Sequence, residues 1–99
     1  MAKIRFERSG GFLGQDINLD LDLNMLLASE ALSLIQQIQK SNFFNLPEDL
    51  TSKPAPDEFT YTITVEIGSA RHRIRTTDTY APDAVRPMLN ILSAIAVVS

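Results

Sequence analysis

Residues 59–67 impose the strongest constraint on this chain: Phe59, Tyr61, Ile63, Val65 and Ile67 alternate strictly with Thr60, Thr62, Thr64 and Glu66. A period of two sends one set to each face of an extended strand, and helical spacing would scatter it. The β-branched and aromatic content favours the same conformation. Such a strand has one face that water can wet and one that other apolar groups must cover. The chain is therefore expected to build a sheet with a packed side and a solvated side.

Three further segments carry the same period. Residues 3–7 set Ile4 and Phe6 between Lys3, Arg5 and Glu7; residues 15–23 set Ile17, Leu19, Leu21 and Leu23 against Asp16, Asn18, Asp20 and Asp22. Residues 71–77 set His72, Ile74 and Thr76 against Arg71, Arg73 and Arg75. Two breaks, Ser9-Gly10-Gly11-Phe12-Leu13-Gly14 and Gly68-Ser69, read as hairpin connections, because glycine tolerates the positive φ angles that tight turns need.

Between the hairpins the period changes. Ala31, Leu32, Leu34, Ile35 and Ile38 predict a helix to about Lys40, with Ser29 as its N-cap and Glu30 and Lys40 matched to its dipole. Ser41-Asn42-Phe43-Phe44-Asn45-Leu46-Pro47 reads as a helix exit whose two aromatics pack beneath the core. Residues 48–57, with Pro54 and Pro56 and no periodicity, read as a loop. After Pro82 and Pro87, Met88, Leu89, Ile91, Leu92, Ile95 and Ala96 mark a second helix. The order ββαββα predicts an α+β fold of two layers: a four-stranded antiparallel sheet with two helices on its apolar face. A length of 99 residues fits one domain, residues 1–99.

Composition narrows the chemistry. The chain has no cysteine and one histidine, His72, so neither a Cys/His zinc site nor a thiol nucleophile is expected, and no cofactor or metal is assigned. His72, flanked by arginines and without a triad signature nearby, reads as structural. Asp16, Asp20 and Asp22 alternate along a strand instead of wrapping a cation, and read as a solvated face. Arg71, Arg73 and Arg75 read as partners of the acidic strands. Nine basic against twelve acidic residues, net −3, give no footprint for nucleic acid or an anionic membrane. Residues 1–6 alternate apolar with charged and carry no signal-peptide stretch, so a cytoplasmic location is expected. The apolar run 91–98 is far shorter than the ~20 residues that span a bilayer. The Ser9 to Gly14 stretch lacks a Walker lysine and does not read as a phosphate loop.

Two surfaces stand out as binding candidates. Phe12 and Leu13 ride on a glycine-rich tip, where they either enter a partner's pocket or plug the end of the core. Residues 48–57 form the second.

Phe6-Glu7-Arg8-Ser9-Gly10-Gly11-Phe12 with Gly14, then Phe43-Phe44-Asn45-Leu46-Pro47, residues 56–66, and finally Pro87-Met88-Leu89-Asn90-Ile91-Leu92 together resemble the emfourin family in the same order along the chain. The resemblance implies a small cytoplasmic inhibitor of protealysin-like, thermolysin-like zinc metallopeptidases, forming a 1:1 complex and having no catalytic activity. On that implication, the expected peptidase contacts are Arg8, Ser9, Gly10, Gly11, Phe12, Leu13, Gly14 and Asp57, with Ser9-Gly10-Gly11 across the active-site cleft and a group near Glu7 or Asp57 approaching the enzyme's zinc. The alternative is a non-catalytic adaptor or subunit that binds through its exposed sheet face or edge.

Overall fold

In the computed structural model, which describes residues 2–10, 16–51 and 58–98, the alternations become the rows of a single sheet. Its strands are β1 (Ala2–Gly10), β2 (Ile17–Asp22), β3 (Asp49–Leu50), β4 (Phe59–Ile67) and β5 (Ala70–Thr77). Its helices are α1 (Ala28–Lys40) and α2 (Arg86–Val98). The spatial order is β2-β1-β4-β5-β3. All neighbours are antiparallel except β3, which runs parallel to β5.

Register turns sequence parity into two faces. On one, Leu19, Phe6, Ile63 and Ile74 stand in a row across four strands, and Leu21, Ile4, Val65 and His72 form the next. Ile4, Phe6, Ile63, Val65 and Ile74 are buried there in one cluster with Leu34 and Ile38 of α1 and Met88, Leu89 and Leu92 of α2. Each such side chain contributes about 1.5–3 kcal/mol by leaving water. The opposite face carries Asp20, Arg5, Thr64 and Arg73 in one row and Asn18, Glu7, Thr62 and Arg75 in another. Ion pairs stitch it: Arg5 Nε lies 3.1 Å from Glu7 Oε1 and 3.8 Å from Asp20 Oδ1, and Arg71 Nε lies 3.3 Å from Glu66 Oε1. These pairs are exposed, so they favour solubility and register more than stability.

The sheet departs from the expected four-stranded antiparallel arrangement by one strand. Residues 48–50 leave the anticipated loop and pair with β5, with Asp49 opposite Arg75, Leu50 opposite Thr76, and Arg75 N–H donating to Glu48 O at 2.7 Å. The element order is therefore ββαβββα, and the sheet is mixed. A two-residue strand is too short to express a period, so nothing in residues 48–50 announces it. The Asp49 carboxyl is held below its usual value by the Thr51 hydroxyl at 2.5 Å, then by Thr51 N–H at 2.9 Å, with Arg75 adding charge attraction.

Helix α1 begins two residues earlier than a cap at Ser29 predicts. Leu27 is its N-cap, with ψ 145°, and supplies no side-chain hydrogen bond. Its Leu34 and Ile38 are buried, but Leu32, counted with the apolar stripe, is 56% exposed because it lies half a turn from them. The helix exit matches expectation: Asn42 takes a left-handed φ of 54°, a conformation asparagine tolerates, and Phe43 goes under the core. His72 is structural here. Its Nε2 donates to Leu46 O at 2.7 Å and its ring meets the Phe43 edge at 5.7 Å, fastening the exit to β5.

Leu27→Ser should raise stability by about 0.5–1 kcal/mol in urea unfolding, since it supplies an N-cap hydroxyl three residues before Glu30 and completes a capping box. Ser29→Ala should change stability by less than about 0.5 kcal/mol. A large loss from Ser29→Ala would contradict the assigned helix start.

Candidate functional site

Strand direction gathers the candidate residues. β1 and β5 finish, and β2 and β4 start, at one end of the sheet: Gly10 pairs with Phe59, Ser9 with Thr60, Thr60 with Thr77, and Arg8 with both Ile17 and Tyr61. The described residues flanking segments 11–15 and 52–57 therefore stand at the same end as the turn after β5. Of the expected contacts, Arg8, Ser9 and Gly10 are the last three residues of β1. Gly11, Phe12, Leu13, Gly14 and Asp57 lie outside the described residues. Glu7 faces the other side of the sheet and is paired with Arg5.

Gly10 has a physical reason to be glycine. Its φ is +83°, and a Cβ there would sit 3.0 Å from the backbone oxygen of Glu58. Both the angle and the close approach exclude a larger residue without distortion. Glu58 also accepts from Thr79 N–H through its carboxylate, tying the start of β4 to the turn after β5.

The centre of this end is the Asp78 carboxylate, which the sequence reading did not single out. One oxygen accepts from Phe59 N–H at 3.0 Å and the other from Tyr61 O–H at 2.6 Å. The partners are nineteen and seventeen residues away, so no local spacing points to them. A threonine-flanked aspartate after a strand reads locally as a turn residue; its role becomes visible only once β4 and β5 pair.

Aromatic rings continue the support outward. Tyr61 stacks on buried Phe6 at 6.0 Å between centroids and meets Phe59 at 6.3 Å. The Arg8 guanidinium carbon lies 4.5 Å from the Phe59 ring centre. Arg8 has the parity of Ile4 and Phe6, so its stem runs along the packed face before its charge reaches the ring. Such a stack contributes about 0.5–2 kcal/mol, according to its desolvation. Among the described residues, no group of three or more His, Asp or Glu side chains is arranged to hold a metal ion, and no helix is long and apolar enough to cross a membrane.

Burial, and then the hydrogen bond and negative charge of Asp78, hold the Tyr61 hydroxyl above the usual tyrosine range. The neutral form is thus favoured in the fold. Its contribution to stability is complete below about pH 10, where the unfolded chain keeps its proton, and falls as pH rises above that value. Tyr61→Phe should lower stability at neutral pH by about 1–2 kcal/mol, by stranding an Asp78 oxygen, and should flatten the decline between about pH 10 and 11. Urea unfolding across that range is the measurement; an unchanged alkaline slope would contradict the assignment.

The family model described as Emfourin matches residues 6–93. Comparison with curated proteins finds no match, and comparison with solved structures finds none. The matched span takes in Arg8, Ser9 and Gly10, the Asp78 tie and both helices for most of their length, and this chain belongs to the Emfourin family.

Proposed function

We propose that this protein inhibits protealysin-like, thermolysin-like zinc metallopeptidases by seating the sheet end at Arg8, Ser9 and Gly10 in the active-site cleft, in a 1:1 complex. Residues 11–14 and Asp57 belong to the same contact. The observation that carries the reading is that the described residues flanking both candidate segments, Gly10 and Asp16 for one and Thr51 and Glu58 for the other, stand at one end of the sheet, within a chain of this family. A cleft whose metal and subsites are already formed is blocked best by a surface that loses little freedom on docking. Asp78, Glu58 and the Phe6–Tyr61–Phe59 stack supply that rigidity around the segments' roots. Bulky apolar side chains such as Phe12 and Leu13 suit the preference of thermolysin-like enzymes for apolar groups after the scissile bond.

Titrating a protealysin-like peptidase with the protein, while following cleavage of a short peptide, should abolish activity at one equivalent. Full activity of several such enzymes beside folded protein would overturn the proposal and favour an adaptor binding through the outer edge of β2 or the charged sheet face. Two glycine variants localise the contact. Gly10→Val meets the Glu58 backbone and an unfavourable φ, at a cost of about 1–3 kcal/mol, and should raise the inhibition constant roughly tenfold or more. Gly68→Ala, at φ +61° in the turn at the opposite end with open space around it, should cost about 1–2 kcal/mol of stability and leave inhibition unchanged. Equal inhibition by Gly10→Val and the parent would remove this end of the sheet from the contact.

A further inference from the structure

Arg8 occupies a position where the alternation of β1 calls for an apolar residue. Ile4 and Phe6, four and two residues before it on the same face, are fully buried. The other arginines that meet a carboxylate do so at the surface: Arg5 with Glu7, Arg71 with Glu66, and Arg86 with Asp83 at 3.4 Å. Arg8 has no such partner among the described residues. The nearby Asp78 carboxylate is already taken by Phe59 N–H and Tyr61 O–H. Arg8 Nε is buried and has no hydrogen-bond acceptor among the described residues.

That arrangement is costly for the free protein. Most buried polar atoms find a partner, and a buried donor left without one costs about 1–3 kcal/mol, more when it carries charge. The side chain has also surrendered rotamer freedom to lie over Phe59. Both costs are met before any partner arrives, which is how an arginine becomes a strong contact in an interface. The planar fork of a guanidinium matches a carboxylate with two parallel N–H···O bonds. A polyanion fits poorly, because the Asp78 carboxylate sits on Phe59 N–H and Tyr61 O–H nearby and the chain is net negative.

We infer that Arg8, held over Phe59, is a specificity-determining contact that receives an Asp or Glu carboxylate of the peptidase. This rests on the inhibitor reading above and gives its contact a chemical identity. Ser9 and Gly10 then follow the ion pair along the strand, so the pair sets how far the sheet end advances into the cleft.

The test compares the parent with Arg8→Gln and Arg8→Lys against one peptidase that the parent inhibits. Arg8→Gln should weaken inhibition roughly 30-fold or more, as expected when one member of a desolvated charge pair is removed. Arg8→Lys keeps the charge without the fork and should fall between the two. Raising salt from about 0.05 to about 0.5 M should weaken the parent more than Arg8→Gln. The Arg8 Nε–H resonance of the isotope-labelled parent should shift on binding, a signal that a purely scaffolding arginine would not give. Thermal unfolding of Arg8→Gln separates lost contact from lost fold: the inference expects a cooperative transition lowered by no more than the loss of the Phe59 ring contact. Inhibition by Arg8→Gln within about threefold of the parent overturns the inference alone. So does weakened inhibition with unchanged salt dependence and an unmoved Nε–H signal. Absence of inhibition by the parent against all such peptidases overturns the inhibitor reading, and this inference with it.

Discussion

The pairing of β1 with β4 holds the architecture together. Nine consecutive residue pairs join the two strands, from Ala2 opposite Ile67 to Gly10 opposite Phe59. Each hairpin alone would be a two-stranded ribbon of marginal stability. Their junction brings Ile4 and Phe6 beside Val65 and Ile63, and only then is there an apolar face broad enough for two helices to cover. The same register decides that Gly10 approaches Glu58 and that Arg8 lies within reach of Phe59. Core and candidate contact are consequences of one alignment.

Charge is distributed to suit that alignment. On the solvated face, acidic β2 sits beside β1 with Lys3 and Arg5, while Arg71, Arg73 and Arg75 of β5 lie beyond β4. Slippage of β1 against β2 by one residue would turn Asp20 and Asp22 toward the core, a penalty far larger than the exposed ion pairs themselves. The outer edge of β2 bears Asp20 and Asp22, which discourages another copy from pairing there through like-charge repulsion. At the other edge, β3 covers part of β5, and Leu46, held by His72, guards the approach.

Periodic segments were legible in the sequence because repetition averages over local noise. β4 emerges at the span expected, and α1 with its dipole-matched Glu30 and Lys40 emerges close to it. Single-residue events were not legible. Ser29 carries the chemistry of a cap, yet the helix begins at Ala28 with Leu27 as its N-cap; Leu32 has the hydropathy of a core residue but the wrong angle around α1. β3 is defined by the strand it meets, not by its own residues. For the candidate site, Arg8, Ser9 and Gly10 could be found from the glycine-rich break and the family resemblance, while Asp78 could not, since its two hydrogen bonds exist only once β4 and β5 pair across their hairpin. In the sequence Arg8 is legible only as part of a motif; its unpaired donor and its ring support belong to three-dimensional neighbours.

The β1–β4 seam also bears on biosynthesis. β1 is made before the strands that flank it and becomes an interior strand, so it needs a neighbour on each side. β2 follows within a few residues, but the second neighbour lies beyond α1 and β3. At translation rates of about 5–20 residues per second, roughly 3–11 s separate the appearance of Phe6 from that of its cross-strand partner Ile63. During that interval the nascent hairpin presents Ile4 and Phe6 and one unpaired edge to its surroundings. Alternating charges along β1, with Lys3, Arg5 and Glu7 between the apolar residues, help keep the waiting ribbon from meeting another like itself.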